Sequence, residues 1–246
     1  MARVDCVIPV YNEAHVLAQS IGTLHRFLSE RLADHDWQIV IADNGSTDAT
    51  LAAAQRLAAE LSRVRVLHLP EKGRGRALRR AWLESDADAL SYMDVDLSTE
   101  LEHYPQLVDA VVSGRCDVAS GSRLARGARV RRSPRREVLS RGYNLIIRSW
   151  MRTRFRDAQC GFKTVRRDAA QRLLPLVRDN EWFFDTELLV LAEKLRYRVC
   201  EIPVRWTEDP DTRVRIARTV RQDLRGLWRL WRTRPWASAG PDIRNK

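Results

Sequence analysis

No apolar run in this 246-residue chain reaches the roughly 18 residues needed to cross a bilayer, so nothing in it is read as a membrane span. Cysteine is scarce: Cys6, Cys116, Cys160 and Cys200 lie far apart and form no C-x-x-C. Each stands in or beside an apolar stretch, so all four are expected to be buried, reduced thiols in a reducing compartment. No cleavable leader is read at the N-terminus, where the chain enters a strand-like run directly. Neither an internal repeat nor a domain-separating linker interrupts the sequence, and a single domain with a tail is expected. Lysine is almost missing too: 4 of the 43 basic residues are lysine and the rest arginine.

What is plentiful is positive charge. A net charge of +11 implies a partner of opposite sign: nucleic acid, an anionic membrane surface or a phosphorylated substrate. The planar guanidinium fork suits phosphate. Nucleic acid is set aside, because the aromatics are not interleaved with basic residues on strands and no nucleic-acid module is recognisable. The remaining composition, 44% hydrophobic and 30% charged, is that of a soluble globular fold.

Apolar runs alternate with helical periodicity through the first half. Strands are predicted at Val4–Val10, Trp37–Ala42, Val64–Leu69 and Asp88–Met93, with helices at Glu13–Arg31, Ser46–Leu61 and Gly75–Glu84 between them. This order predicts an α/β fold, a parallel, doubly wound sheet with helices on both faces. The second half is less regular. Helices are expected at Leu101–Val112, Val138–Met151 and Asp185–Arg196, and strands at Asp117–Ser120, Phe162–Val165 and Val199–Trp206. Arg123–Arg136 reads as a basic loop, mobile without ligand.

The most informative segment is Asp94-Val95-Asp96, which ends the fourth strand. Open α/β sheets bind ligands at the carboxyl ends of their strands. Two acids there repel one another and lose water; a hard divalent cation that also holds a diphosphate compensates both. Pro9 to Glu13 follows the first strand, where Tyr11 offers a face for a base to stack on. Asp43 closes the second strand, at the height where an acid accepts from a base or ribose; capping the Asn44-Gly45 turn is its alternative role. Lys72, Gly73 and Gly75 stand at the mouth of a helix, where amides and the helix dipole favour anions, yet they form no Walker A motif.

Taken in order, Pro9-Val10-Tyr11-Asn12-Glu13, Asp43 to Asp48, Lys72-Gly73-x-Gly75, Asp94-Val95-Asp96, Gly121-Ser122-Arg123 and Asp157-x-x-x-Gly161-Phe162-Lys163 resemble inverting family 2 glycosyltransferases. Within these the chain is similar to the branch making dolichyl- or polyprenyl-phosphate sugars. The resemblance implies a GT-A fold, a nucleotide-diphosphate sugar donor and Mg²⁺ or Mn²⁺. It implies Pro9, Tyr11, Glu13, Asp43 and Lys72 as nucleotide-binding positions, with Val95 along the ribose. Asp94 and Asp96 match the metal and diphosphate motif. Arg123, Arg136 and Ser140 match positions that grip an acceptor phosphate. Ser98 stands where mannosyltransferases often carry glutamine, and the segments Trp182–Leu188 and Val204–Glu208 look more like the enzymes using UDP-glucose.

Transfer to a hydroxyl needs a general base, whereas a phosphate monoester, with its second ionisation near pH ~6, is already a charged nucleophile. The basic loop, with Arg131 beside Arg123 and Arg136, could neutralise such an acceptor. Gln159, Lys163, Asp185 and Glu187 are further candidates for the acceptor or sugar pocket. Asp185 and Glu187 would supply a base for a hydroxyl acceptor, orient the sugar, or simply charge the first turn of a helix. The catalytic domain is expected over 1–212 and a flexible tail over 237–246. Between them, 213–236 reads as a basic amphipathic helix with Ile216, Val220, Leu224, Leu227, Trp228 and Trp231 on one face. Such a helix either lies in an anionic interface or packs on the domain. The expected location is cytoplasmic, peripheral on the inner face of the cell membrane.

Overall fold

Neighbouring residues on the first strand enter different cores: Val7 packs with Val40, Trp82, Leu90 and Phe184, Ile8 with Leu17, Ile21, Ile41 and Leu107. Successive strand side chains point to opposite faces, so a strand buried on both sides separates two apolar layers. The computed structural model describes residues 1–208 and 216–238. Its main sheet has seven strands in the order β3-β2-β1-β4-β7-β5-β8.

The first half alternates as expected: β1 (Arg3–Val10), α1 (Ala14–Arg31), β2 (Asp36–Asn44), α2 (Thr50–Glu60), β3 (Val64–Leu69), α3 (Arg74–Glu84) and β4 (Ala89–Met93). On α1, Leu17, Ile21, Leu24 and Leu28 recur at helical spacing and are buried. The second helix starts four residues later than predicted. Ser46 and Thr47 are engaged elsewhere: the Asn12 N–H donates to Ser46 Oγ (3.0 Å), and the Thr47 N–H to Asn12 Oδ1 (2.8 Å). Asp48 Oδ1 then accepts the Thr50 N–H (2.9 Å) at the start of α2.

The second half departs more from expectation. After a single 3₁₀ turn come α4 (Tyr104–Val112), β5 (Val118–Ser122), β6 (Arg129–Arg131), α5 (Pro134–Met151), β7 (Phe162–Arg166), α6 (Arg167–Leu173) and α7 (Phe184–Lys194). β8 (Val199–Pro203), β9 (Arg205–Thr207) and α8 (Ile216–Thr233) complete the order. β7 runs antiparallel between β4 and β5, while the other neighbours in this sheet are parallel. The expected strand Val199–Trp206 is two: β8 stays in the main sheet, and past Pro203 the chain turns out to pair β9 with β6. The stretch read as a mobile basic loop therefore contains a strand, and α5 begins inside it, with Pro134 supplying a favourable first turn.

Two of the expected thiols are corrected. Cys116 and Cys200 form a disulfide, Cα to Cα 5.9 Å, across the β5–β8 edge. Their separation of 84 residues hid that these strands are neighbours. Cys6 and Cys160 are buried free thiols, which burial pushes up to about 12.

Helix α8 also differs from its expected single apolar face. Asp223, Gly226, Leu227 and Leu230 are buried against the domain, whereas Val220, Leu224, Trp228 and Trp231 remain 39–49% exposed. Leu227 thus belongs to the inward face. The side chain of Ile216 and the tail beyond Ser238 lie outside the described residues.

Candidate active site

The parallel strands β2, β1 and β4 end side by side, with Val10 level with Asp43 and Asp43 level with His68 on β3. Chain reversals follow each strand, and the order turns outward on either side of β1, which is where a ligand crevice forms. Asn44 ties these ends together. Its Nδ2 donates to the Val10 carbonyl (2.6 Å), and its Oδ1 accepts the Gly73 N–H (3.0 Å).

Tyr11 lies under Lys72, whose Nζ sits 3.5 Å from the ring centroid. Lys72 makes no ion pair among the described residues, so its charge stays available to an anion. Asp43 is fully buried and hydrogen-bonded to Nδ1 of His68 (2.7 Å), so the half-exposed His68 ring presents this corner to solvent. Pro9 is buried within β1, level with Ala42. Glu13 begins α1 through its carbonyl, while its N–H donates to Thr50 Oγ1 (2.8 Å).

After β4 the chain makes a tight turn, with the Leu97 N–H on the Asp94 carbonyl (3.2 Å) and Leu97 at φ 50°. A left-handed leucine costs about 1–3 kcal/mol and persists only where surroundings enforce it. Here the Ser98 N–H holds Asp96 Oδ1 (3.0 Å), and Val95 is buried beneath. Asp94 is partly exposed and Asp96 exposed. Among the described residues no group of three or more His, Cys, Asp or Glu could hold a metal by itself. The two acids would need oxygens from a ligand to complete a shell.

Behind Asp94 stands Arg74, the variable position of Lys72-Gly73-x-Gly75, which was not among the expected site residues. Its Nη2 donates to Asp94 Oδ1 (2.9 Å) and its Nη1 to Asp185 Oδ2 (2.7 Å). Asp185 in turn meets Lys163 Nζ (3.1 Å) and the Tyr92 hydroxyl. Two carboxylates and two cations thus form one balanced chain, buried at Arg74, Asp185 and Lys163 and open to the cleft at Asp94. Burial pushes the Arg74 guanidinium down, but Asp94 and Asp185 hold it well above its usual range. Burial likewise pushes the Asp185 carboxyl up, and Lys163 and Arg74 outweigh this to lower it. A lowered, fully engaged carboxylate is a poor proton acceptor. A signal for Arg74 was present: an arginine in the first turn of a helix opposes the dipole and needs nearby acids.

Glu187, a candidate for the acceptor or sugar pocket, is engaged on α8. Fully buried, it accepts both ends of the Arg229 fork (2.7 and 2.9 Å) and the N–H groups of Arg178 and Asp179 (3.1 and 2.8 Å). Its role is to seat α8 and the segment before α7. Gln159 is also turned to α8, donating from Nε2 to Asp223 Oδ2 (3.1 Å).

Arg123 forks onto Asp157 through Nε and Nη2 (2.8 and 2.9 Å), and its N–H donates to the same carboxylate (2.9 Å). Burial opposes the ionised Asp157, yet Arg123 holds it down to about 2. The Arg123 guanidinium lies 5.4 Å from the Trp206 ring. Arg136 pairs with Glu208 (2.6 Å), which also accepts the Ser133 N–H (2.8 Å). The Ser140 hydroxyl is buried without a partner. Arg126, Arg129, Arg131 and Arg135 make no ion pair among the described residues. This arginine-bearing β6–β9 ribbon is stitched to the acidic turn: the Thr207 N–H donates to the Ser98 carbonyl (3.0 Å), and Thr99 bridges to Trp206.

The model of glycosyl transferase family 2 matches residues 5–174. The chain belongs to this family. It is 40% identical over 233 residues to the glycosyltransferase AglD of Haloferax volcanii, covering 93% of this chain but 37% of that protein. It is also 32% identical over 242 residues to a dolichyl-phosphate beta-glucosyltransferase of Drosophila melanogaster, covering 93% and 74%. This glycosyltransferase therefore spans little more than a third of AglD. Its fold matches glucosyl-3-phosphoglycerate synthase of Mycobacterium tuberculosis, solved with Mn²⁺, UDP and phosphoglyceric acid. The TM-score is 0.71 at 16% identity, covering 94% of this chain and 78% of that one. The architecture is GT-A, as expected.

Proposed function

We propose that this glycosyltransferase moves glucose, with inversion, from UDP-glucose to a polyprenyl or dolichyl phosphate. The observation that carries the reading is the β6–β9 ribbon, whose Arg129 and Arg131 make no ion pair among the described residues, stitched directly to the Asp94–Asp96 turn. One anion is served on each side of that turn: the donor diphosphate by Lys72 and the α3 mouth, the acceptor phosphate by Arg131 and Ser140, with Arg123 and Arg136, held by Asp157 and Glu208, lending charge to the same side. A phosphate oxygen attacks the anomeric carbon as the bond to the leaving diphosphate breaks. No general base is required, because the second ionisation near pH ~6 has already charged the nucleophile. Guanidinium forks bind such phosphates strongly.

The two acids fit Mg²⁺ or Mn²⁺. Hard cations of this kind take one or two carboxylates and complete their shells with phosphate oxygens and water. A bound ion would supply charge neutralisation on the departing diphosphate. Arg74 orients Asp94 for that duty through the hydrogen bond from its Nη2. Glucose is favoured by the dolichyl-phosphate beta-glucosyltransferase relatives and UDP by the complexes in which the fold neighbours were solved, and Ser98 speaks against mannose.

The rival reading, transfer to a sugar hydroxyl, needs a carboxylate base. Asp185 is held by Arg74, Lys163 and Tyr92, and Glu187 by Arg229 and two amides, so neither fits. None of the described helices is long and apolar enough to cross a membrane. Access to a lipid acceptor is assigned instead to the outer face of α8, where Trp228 and Trp231 sit among Arg221, Arg225 and Arg232. That composition suits a helix lying in an anionic interface. The test is incubation with radiolabelled UDP-glucose, Mg²⁺ and polyprenyl phosphate. Label should pass to the organic phase; no labelled lipid from any UDP- or GDP-sugar overturns the reading.

A further inference from the structure

The inward face of α8 leads by a short chain of contacts to the start of α3. Arg229 clamps Glu187, and Glu187 Oε2 holds the N–H groups of Arg178 and Asp179 (3.1 and 2.8 Å). Asp179 Oδ1 accepts the N–H groups of Glu181 and Phe184 (2.8 and 3.1 Å), which folds 179–184 into one tight segment. The carbonyl of Asn180 accepts the Arg76 N–H (3.1 Å), and Arg79 donates to Asn180 Oδ1 (2.9 Å).

The glycines report how closely these parts meet. A Cβ added to Gly73 would lie 2.8 Å from the Asn180 carbonyl oxygen, and one on Gly75 2.7 Å from Phe184 Cβ. One added to Gly226 on α8 would lie 2.4 Å from the Phe183 ring. Close-packed contacts of this kind transmit displacement instead of absorbing it. The segment 178–184 is therefore a bed on which the Lys72–Arg74 end of α3 rests, and α8 presses it into place from behind.

We infer that α8 is a positioning element for donor binding, acting through Gly226 on Phe183 and through Arg229 on Glu187. The inference rests on the reading of Lys72 and the α3 mouth as the donor diphosphate site. Gly226 packs on Phe183 and Arg229 on Glu187, and through them both set where Lys72 and Arg74 stand. Undocking α8 loosens the bed, and the cost falls on nucleotide affinity more than on the chemical step. A loss of that kind raises KM while leaving kcat at saturating donor.

The experiment measures UDP binding in Mg²⁺ by calorimetry, together with donor KM and kcat, for the whole chain and two variants. Gly226→Val displaces α8 from Phe183. The double variant Arg229→Met with Glu187→Met removes the half-buried cation and its buried partner at once, which protein cores commonly tolerate, and deletes the acceptor for Arg178 and Asp179. The inference expects UDP affinity to fall and donor KM to rise by about tenfold in the double variant, with kcat within about threefold and the melting transition still cooperative. A purely structural helix would lower the melting temperature and leave UDP affinity in the folded fraction unchanged, which overturns the inference. If the unaltered chain binds no UDP, the reading of the donor site falls, and this inference with it.

Discussion

Gly161 lies hard against the carboxylate of Asp94: a Cβ added to it would stand 1.7 Å from Asp94 Oδ2, and its carbonyl accepts the Asp94 N–H (3.2 Å). The glycine in Asp157-x-x-x-Gly161 is thus required by close approach. Gly161→Ala is expected to swing Asp94 out of place and to lower glycosyl transfer at least ~100-fold, a loss comparable to misplacing one electrostatic group. Transfer rates and Mg²⁺-dependent UDP binding check this; a fully active Gly161→Ala enzyme would show that Asp94 need not stand there.

Arg74 joins Asp94 to Asp185. Arg74→Met leaves Asp94 without its cation and a buried Asp185 with a weaker counter-charge. Breaking such a pair costs about 3–5 kcal/mol, or about 6–20 °C in Tm for a domain of this size. Arg74→Lys keeps the charge but cannot fork between two carboxylates. It is expected to retain most of the stability and still bind UDP with Mg²⁺ more weakly. Calorimetry and thermal unfolding of the two variants separate these effects; equal UDP affinity in both and in the parent would refute the bridge.

Asp223 on α8 faces Tyr143 on α5, Gln159 in the turn before β7, and the charges of Asp179 and Asp185. Burial and those two acids push its carboxyl up to about 7 from 3.8. The folded state therefore holds a proton that the unfolded chain releases near pH 4. Its contribution to stability is full below that pH, declines as pH rises toward 7, and changes no further above. Asp223→Asn should flatten this slope and raise Tm at pH 8 by about 2–4 °C per kcal/mol gained. Thermal unfolding from pH 5 to 8 measures it; parallel pH profiles for both proteins would place the titration elsewhere.

The outer face of α8 predicts a lipid interaction that the inner face does not need. Replacing Trp228 and Trp231 together by serine should cut co-sedimentation with anionic vesicles about tenfold, and salt near 0.5 M should weaken binding of the parent. Undiminished sedimentation of the double variant would remove this surface from the account.

The alternating half of the fold was readable because each parallel strand is a short apolar run and each helix carries a stripe at 3.6-residue spacing. Boundaries slipped where side chains competed with the backbone, as Ser46 and Thr47 do by bonding to Asn12. Non-local features were hidden. Nothing near Phe162 announces that β7 reverses between β4 and β5, and the seven-residue α6 is too short for periodicity to reveal. The Cys116–Cys200 bond needed knowledge that β5 and β8 are neighbours. Local motifs placed Asp94, Asp96, Lys72 and Tyr11 just past the carboxyl ends of the parallel strands. Only the packing showed Arg74 behind them and Glu187 spent on Arg229.

The central claim is that the nucleophile is a phosphate oxygen needing no protein base. The direct measurement is the initial rate of transfer to polyprenyl phosphate and to the corresponding polyprenol, from pH 6 to 8. The account predicts product from the phosphate alone, with a rate that rises toward the acceptor's second ionisation and then levels. Comparable transfer to the alcohol, abolished by Asp185→Asn, would contradict it.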